Sequence, residues 1–274
     1  MKRVLNIKPG RAGKLFLGAL PFLLTLLVYL WISDARLSVN PHEKLMPAFS
    51  SFAHAIHTLA FEPSVRTGQY LFWADTLASL KRLFTGVGFA ALIGLIFGLL
   101  NGAIPLMRAN LSPYITVLSL VPPMAILPIL FIVFGLDELS KVMLIIIGIT
   151  PFLIRDLTAK TLELPSEQLI KAQTLGASTW QVIVRVLLPQ IMPRLIEGVR
   201  LSLGSAWLFL IAAEAIAAQD GLGYRIFLVR RYLAMDIILP YVVWITLLAF
   251  VTDWILRKIS LWWFPWFHAQ SREN

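Results

Sequence analysis

The stretch Glu163-Leu164-Pro165-Ser166-Glu167-Gln168-Leu169-Ile170-Lys171-Ala172-Gln173-Thr174-Leu175-Gly176-Ala177-Ser178-Thr179-Trp180-Gln181, running on to Val186-Leu187-Leu188-Pro189, decides how this chain is read. Pro165 stands just before an N-cap serine, Ser166, and opens a short helix. Gly176 occupies the place where helices end in a left-handed residue, a conformation glycine adopts without a Cβ clash. Ser178-Thr179-Trp180-Gln181 has the Ser-x-x-Gln form of a capping box and starts a second helix, which Leu188-Pro189 is expected to stop. The pattern predicts a short helix, a sharp glycine turn and another short helix. A unit this small has no core of its own, so it needs the groove of a partner.

On both sides of it the chain is apolar. Of 274 residues, 58% are hydrophobic and 14% charged, and the mean hydropathy is +0.77. A soluble domain is about 45–50% apolar and about 25% charged. The polar surface is too small for a water-soluble ball, which makes this an all-α integral membrane protein. At about 20 apolar residues per span, the sequence accommodates about six transmembrane helices. There is no cysteine, which removes disulfides, thiolate metal sites and cysteine nucleophiles. His42, His54, His57 and His268 make no metal spacing; His54 and His57 read as part of an amphipathic interfacial helix. The net charge of +9 fits basic loops on the cytoplasmic side and anionic lipid headgroups. No basic run interleaved with aromatics points to nucleic acid.

A basic tail, residues 1–14, precedes a first helix at 15–33, read as an uncleaved span rather than a signal peptide because no small-x-small site follows it. Residues 34–75 form an outer loop with a short helix from Ala48 to Phe61. The core, 76–260, holds helix two (Leu77 to Ile104), three (Leu111 to Phe134), four (Val142 to Leu157), five (Pro193 to Ala217) and six (Ile237 to Leu256). The interior loop 158–192 joins helices four and five, and the tail, 261–274, is aromatic and amphipathic. Of 24 Lys and Arg, this topology puts 15 inside and 9 outside, the bias expected for an N-terminus in the cytoplasm.

Four features carry chemistry. Ala90, Gly94, Gly98 and Gly102 make a ladder of small residues along helix two, which lets backbones approach, within the protein or at a dimer seam. Pro122, Pro123 and Pro128 should bend or break helix three, and Pro151 bends helix four. Freed carbonyls at that depth need protein or a water-filled cavity, so helix three is expected to line a pathway. Asn101, Ser119, Thr150, Ser202 and Ser205 are polar candidates for it. Glu214 is the acid toward the outer end of helix five, either functional or an interfacial carboxylate capped by water or Arg225. Asp253 and Arg257, at i, i+4, read as a structural pair.

With these residues in hand, the chain resembles the membrane permease subunit of bacterial ABC importers, in the nitrate/sulfonate/taurine branch. The signature of that family is Glu-Ala-Ala, three residues, Gly, nine residues, Ile-x-Leu-Pro. Here nine residues separate Gly176 from Val186-Leu187-Leu188-Pro189, while Ile170-Lys171-Ala172 replaces the acidic head. Ser79-Leu80-Lys81-Arg82, Val121-Pro122-Pro123, Leu127-Pro128, Gly198-Val199-Arg200, Ala213-Glu214-Ala215 and Gly221-Leu222-Gly223 extend the likeness over roughly residues 40–265, and Asn40-Pro41 with Lys44-Leu45-Met46-Pro47 leans to the nitrate-type members.

The resemblance implies a type I importer permease fold in the bacterial inner membrane. It implies two permease subunits forming the pore, as a homodimer, two cytoplasmic ABC ATPases that bind ATP and Mg, and a periplasmic substrate-binding protein. The chain itself binds no cofactor and carries no Gly-x4-Gly-Lys-Ser/Thr loop; it is a transport subunit, not an enzyme. The coupling residues would be Glu163, Glu167, Ile170, Lys171, Ala172, Gly176, Ala177, Ser178, Val186, Leu188 and Pro189. Without an acid at 170, docking rests on apolar contacts and on Glu163 or Glu167. The alternative is an ion-coupled secondary carrier that works alone through Glu214 and the broken helix three; a membrane enzyme would need a polar constellation at one depth that is not found.

Overall fold

The computed structural model describes residues 10–40, 43–65 and 67–270. His42, Lys2, Arg3, Lys8, Arg66 and Arg272 therefore lie outside the described residues. Every regular element within them is helical: α1 (Arg11–Val39), α2 (Phe49–Phe61), α3 (Leu71–Ala103), α4 (Pro105–Leu120), α5 (Pro123–Phe134), α6 (Glu138–Leu162), α7 (Ser166–Thr174), α8 (Thr179–Val182), α9 (Leu188–Ala217), α10 (Leu222–Arg230), α11 (Met235–Trp263) and α12 (Pro265–Gln270). Five spans are long and apolar enough to cross a membrane, and α4 with α5, bent by 94° at their break, passes the same test as a pair. The bend falls at Val121-Pro122, where consecutive prolines withhold donors and α5 restarts with Pro123 at its first turn.

The core is the three-helix seam of α3, α6 and α9, built on Leu83, Leu144, Leu153, Leu157, Ile191 and Leu210. The glycine ladder faces α6. A methyl built at Gly94 would lie 2.8 Å from Leu153 Cβ, and one at Gly98 2.6 Å from Leu157 Cβ; Gly86 meets Ile145 and Gly102 meets Thr161 in the same parallel register. Ala90 is fully buried between them. The ladder is thus an internal seam, where close backbone approach replaces the hydrophobic drive that lipid cannot supply.

Between α1 and α3 the segment leading into α2 is held to α1 by Tyr29 Oη donating to Pro47 O (2.8 Å) and Ser33 Oγ to Met46 O (3.0 Å). Three expectations change. Leu188-Pro189 does not stop the second short helix: α8 passes through a π turn, Ile183–Leu187, into α9. The wider turn takes up the register, and Pro189 sits in the first turn of α9, where its missing donor is spare. Pro193, expected to open helix five, lies inside α9. Asp253 pairs with Arg200 (2.8 and 3.0 Å) rather than with Arg257, so the contact joins α11 to α9 instead of bracing one helix.

Candidate functional site

The α6–α9 connector takes the predicted form. α7 is capped at its C-terminus by a two-bond turn: Ala177 N–H donates to Ala172 O (3.0 Å) and Gly176 N–H to Gln173 O (2.9 Å). Gly176 stands at φ +83°, the left-handed value this turn requires. Ser178 and Gln181 form the capping box, each side chain meeting the other's backbone N–H. Pro165, not Ser166, takes the N-cap position of α7, since Ser166 already has helical geometry. Gln190 Nε2 donates to Gln168 Oε1 (3.0 Å), tying α7 to α9.

Outwardly the unit is bare. α7 buries none of its residues, and Ile170, Leu175 and Trp180 are 59%, 88% and 67% exposed. Lys171, Ala172, Ala177, Val186 and Leu188 line its flanks in varying depth. Glu163 is held by Lys160 at 3.1 Å, while Glu167 has no ion pair among the described residues.

At the break of α4–α5 lies a cavity of about 540 Å³, lined by Ser119, Pro123, Gly148, Phe152, Arg155 and Phe209 among others. A second, of about 80 Å³, shares Gly148 and Phe152 and is lined by Ser202 and Ser205. Of the sequence candidates, Ser119, Pro123, Ser202 and Ser205 therefore come together around one face of α6. Ser202 donates to Val199 O within its own helix. Pro122 sits at the break, and Pro128 lies further along α5 without lining either cavity. Thr150 is buried, its hydroxyl without a hydrogen-bond partner among the described residues. Asn101 lines a third cavity of about 250 Å³ with Arg108 and Arg155.

Glu214 does not join them. It is wholly buried at the opposite end of the bundle from α7 and α8, and Arg225 is not its partner. Arg82 Nη1 donates to it at 2.7 Å, Ser79 Oγ at 2.8 Å and Gly223 N–H at 2.8 Å. Arg82 also grips Glu138 with two bonds of 2.6 Å and reaches the Asp220 carboxylate. Arg225 instead pairs with Asp75 at 2.7 Å. Burial works against its charge, but the Asp75 carboxylate outweighs this and raises its pKa above the ordinary arginine value. Asp75 further accepts from Gly221 N–H (3.0 Å) and Tyr241 Oη (3.2 Å). The start of α10 is thereby capped by carboxylates of α3 and α9, as its positive end favours. A Cβ at Gly221 would press on Glu214 and Arg82, which is why glycine stands there.

Sequence reading missed most of this cluster because α3 meets α6 and the α9–α10 segment across 56 to 150 residues of chain. Basic Arg82 and acidic Glu214, each inside an apolar stretch, were the available signal. The described residues contain no group of three or more His, Asp or Glu able to hold a metal ion.

A bundle of apolar spans, one broken over a cavity, that extends a capped helix-turn-helix from its end defines a transporter subunit. Residues 70–262 match the family model described as binding-protein-dependent transport system inner membrane component. The taurine transport system permease protein TauC of Escherichia coli (strain K12) is 36% identical over 194 residues, 71% of this chain and 70% of that protein. The putative aliphatic sulfonates transport permease protein SsuC of Bacillus subtilis (strain 168) is 30% identical, covering 74% of this chain and 72% of that one. An inward-facing structure of the MetNI methionine ABC transporter shares the fold, with a TM-score of 0.57 and 22% identity over 70% of this chain and 97% of that chain. The chain belongs to the family of binding-protein-dependent transport system inner membrane components. It is a multi-pass ABC importer permease, a transport component.

Proposed function

We propose that this permease imports a small solute with an oxyanion head group, of the taurine, sulfonate or nitrate class, across the bacterial inner membrane. A second copy completes the pore. A periplasmic binding protein delivers the solute at the Glu214 end, and cytoplasmic ABC ATPases, which hold the ATP and Mg, dock on α7 and α8. The N-terminus lies in the cytoplasm. The exposed, doubly capped connector carries this reading: it is stiff, apolar outward and continuous with α9, so a push on it moves a whole span. The relatives named for taurine and sulfonates support the solute class. Docking uses Ile170, Leu175 and Trp180 with Glu167, since Glu163 is engaged by Lys160.

The test is a pull-down of tagged protein from gently solubilised membranes, wild type beside Gly176→Pro. Proline holds φ near −65° and lacks the N–H that bonds to Gln173 O, so the turn opens. The wild type should bring down an ATPase subunit and the variant should not, while both run as folded species in size exclusion. An intact wild type that captures no ATPase sinks the assignment of α7 and α8 as the docking element.

A further inference from the structure

Arginines at span depth in this chain are of two kinds. Arg82 and Arg200 are matched by carboxylates. Arg155, an exposed side chain on α6 about two turns from its loop end, has no carboxylate within 4 Å among the described residues. Its Nη1 donates to Ser119 Oγ, in the last turn of α4, at 2.8 Å, which leaves most of the guanidinium donors uncommitted. An arginine inside a span without a counter-ion is expensive, and such residues mark solute or ion paths.

The surroundings fit an anion. Arg155 borders both the cavity of about 540 Å³ at the break and the cavity of about 250 Å³ toward the loop end, where Arg108 also lacks a carboxylate partner. The N-terminal end of α5, at Pro123, lines the larger cavity. A half-helix start carries positive partial charge, as broken helices do at anion sites in other transporters. Asp156 is the one carboxylate in that lining, and it turns toward α9: its Oδ2 stands 3.1 Å from where a Gly198 Cβ would be. Phe152 and Phe209 supply an apolar wall for a short alkyl chain.

We propose that Arg155, steadied by Ser119, receives the oxyanion head of the solute at the α4–α5 break and hands it toward Arg108, so that it sets the charge selectivity of the path. A sulfonate, carboxylate or nitrate group matches the guanidinium fork with two parallel hydrogen bonds. The inference rests on the permease reading above and adds the residue that reads the solute.

The experiment uses the full complex with its ATPase and binding protein in proteoliposomes, with taurine and ethanesulfonate as probes. Imported probe and hydrolysed ATP are measured together for wild type, Arg155→Gln, Arg155→Lys and Ser119→Ala. Arg155→Gln should cut import of either probe about tenfold or more, the factor one charge-assisted hydrogen bond supplies. ATP hydrolysis stimulated by loaded binding protein should persist, so that ATP spent per imported probe rises by the same factor. Arg155→Lys should recover part of the import, and Ser119→Ala should lose less than Arg155→Gln. Wild-type import by Arg155→Gln overturns the proposal. So does a parallel fall of import and ATP hydrolysis, which marks a structural role, and so does a wild-type complex that hydrolyses ATP but imports neither probe. Failure of the permease reading shows separately, as a wild type that assembles with no ATPase.

Discussion

Arg82 shows why single residues in this chain were hard to interpret alone. Its guanidinium is 2% exposed and is shared by Glu138, at the start of α6, and by Glu214 and Asp220, around the α9–α10 junction. Removing Arg82 strands the wholly buried Glu214 carboxylate, a loss of about 3–5 kcal/mol, whereas Glu138 and Asp220 stay open to solvent. Arg82→Ala should therefore lower the melting midpoint of the detergent-solubilised protein steeply. The double variant Arg82→Met with Glu214→Leu should recover much of it, because paired apolar replacements remove the stranded charge. An Arg82→Ala protein that melts like wild type shows that the cluster contributes little. The Ser79-Leu80-Lys81-Arg82, Ala213-Glu214-Ala215 and Gly221-Leu222-Gly223 motifs were each legible in sequence. That they form one object was not, because hydrogen bonds across 130 to 150 residues leave no local period to detect.

At the level of elements, local chemistry was the reliable guide. The Gly176 turn and the Ser178–Gln181 capping box involve residues within five positions of one another, so sequence alone specified them. The glycine ladder was equally readable as a seam, but its partner, α6, became known only from packing. Gly94 and Gly88 provide an internal control on one helix. Gly94→Val drives a side chain into Leu153 and should cost about 1–3 kcal/mol. A Cβ at Gly88 meets nothing within 4 Å, so Gly88→Val should stay within about 0.5 kcal/mol of wild type. Thermal unfolding in one detergent reads both, and equal losses would contradict the α3–α6 seam. The stop assigned to Pro189 failed for a physical reason: a proline ends a helix from its interior but is compatible with a first turn, and the π turn before it converted one position into the other.

For the whole molecule, topology is the open quantity with a direct test, made simple by the absence of cysteine. Single cysteines at Val65, fully exposed between α2 and α3, and at Ser178, exposed in the connector, should react with a membrane-impermeant maleimide from opposite sides. Val65→Cys should label in intact spheroplasts and Ser178→Cys only after lysis; the reverse pattern inverts the proposed orientation. Composition had already decided that the chain lives in lipid, because hydrophobic residues outnumber what any soluble surface hides. Proline and glycine positions decided where helices break and turn, since their effects act on their own backbone. Tertiary structure alone decided which helices share the seam, that Glu214 is locked in an ion cluster rather than open to a path, and that Arg155 faces a cavity without a counter-charge. Those are matters of which side chain meets which across the bundle, and a span that is apolar nearly all round carries too little periodicity to say which of its faces turns inward.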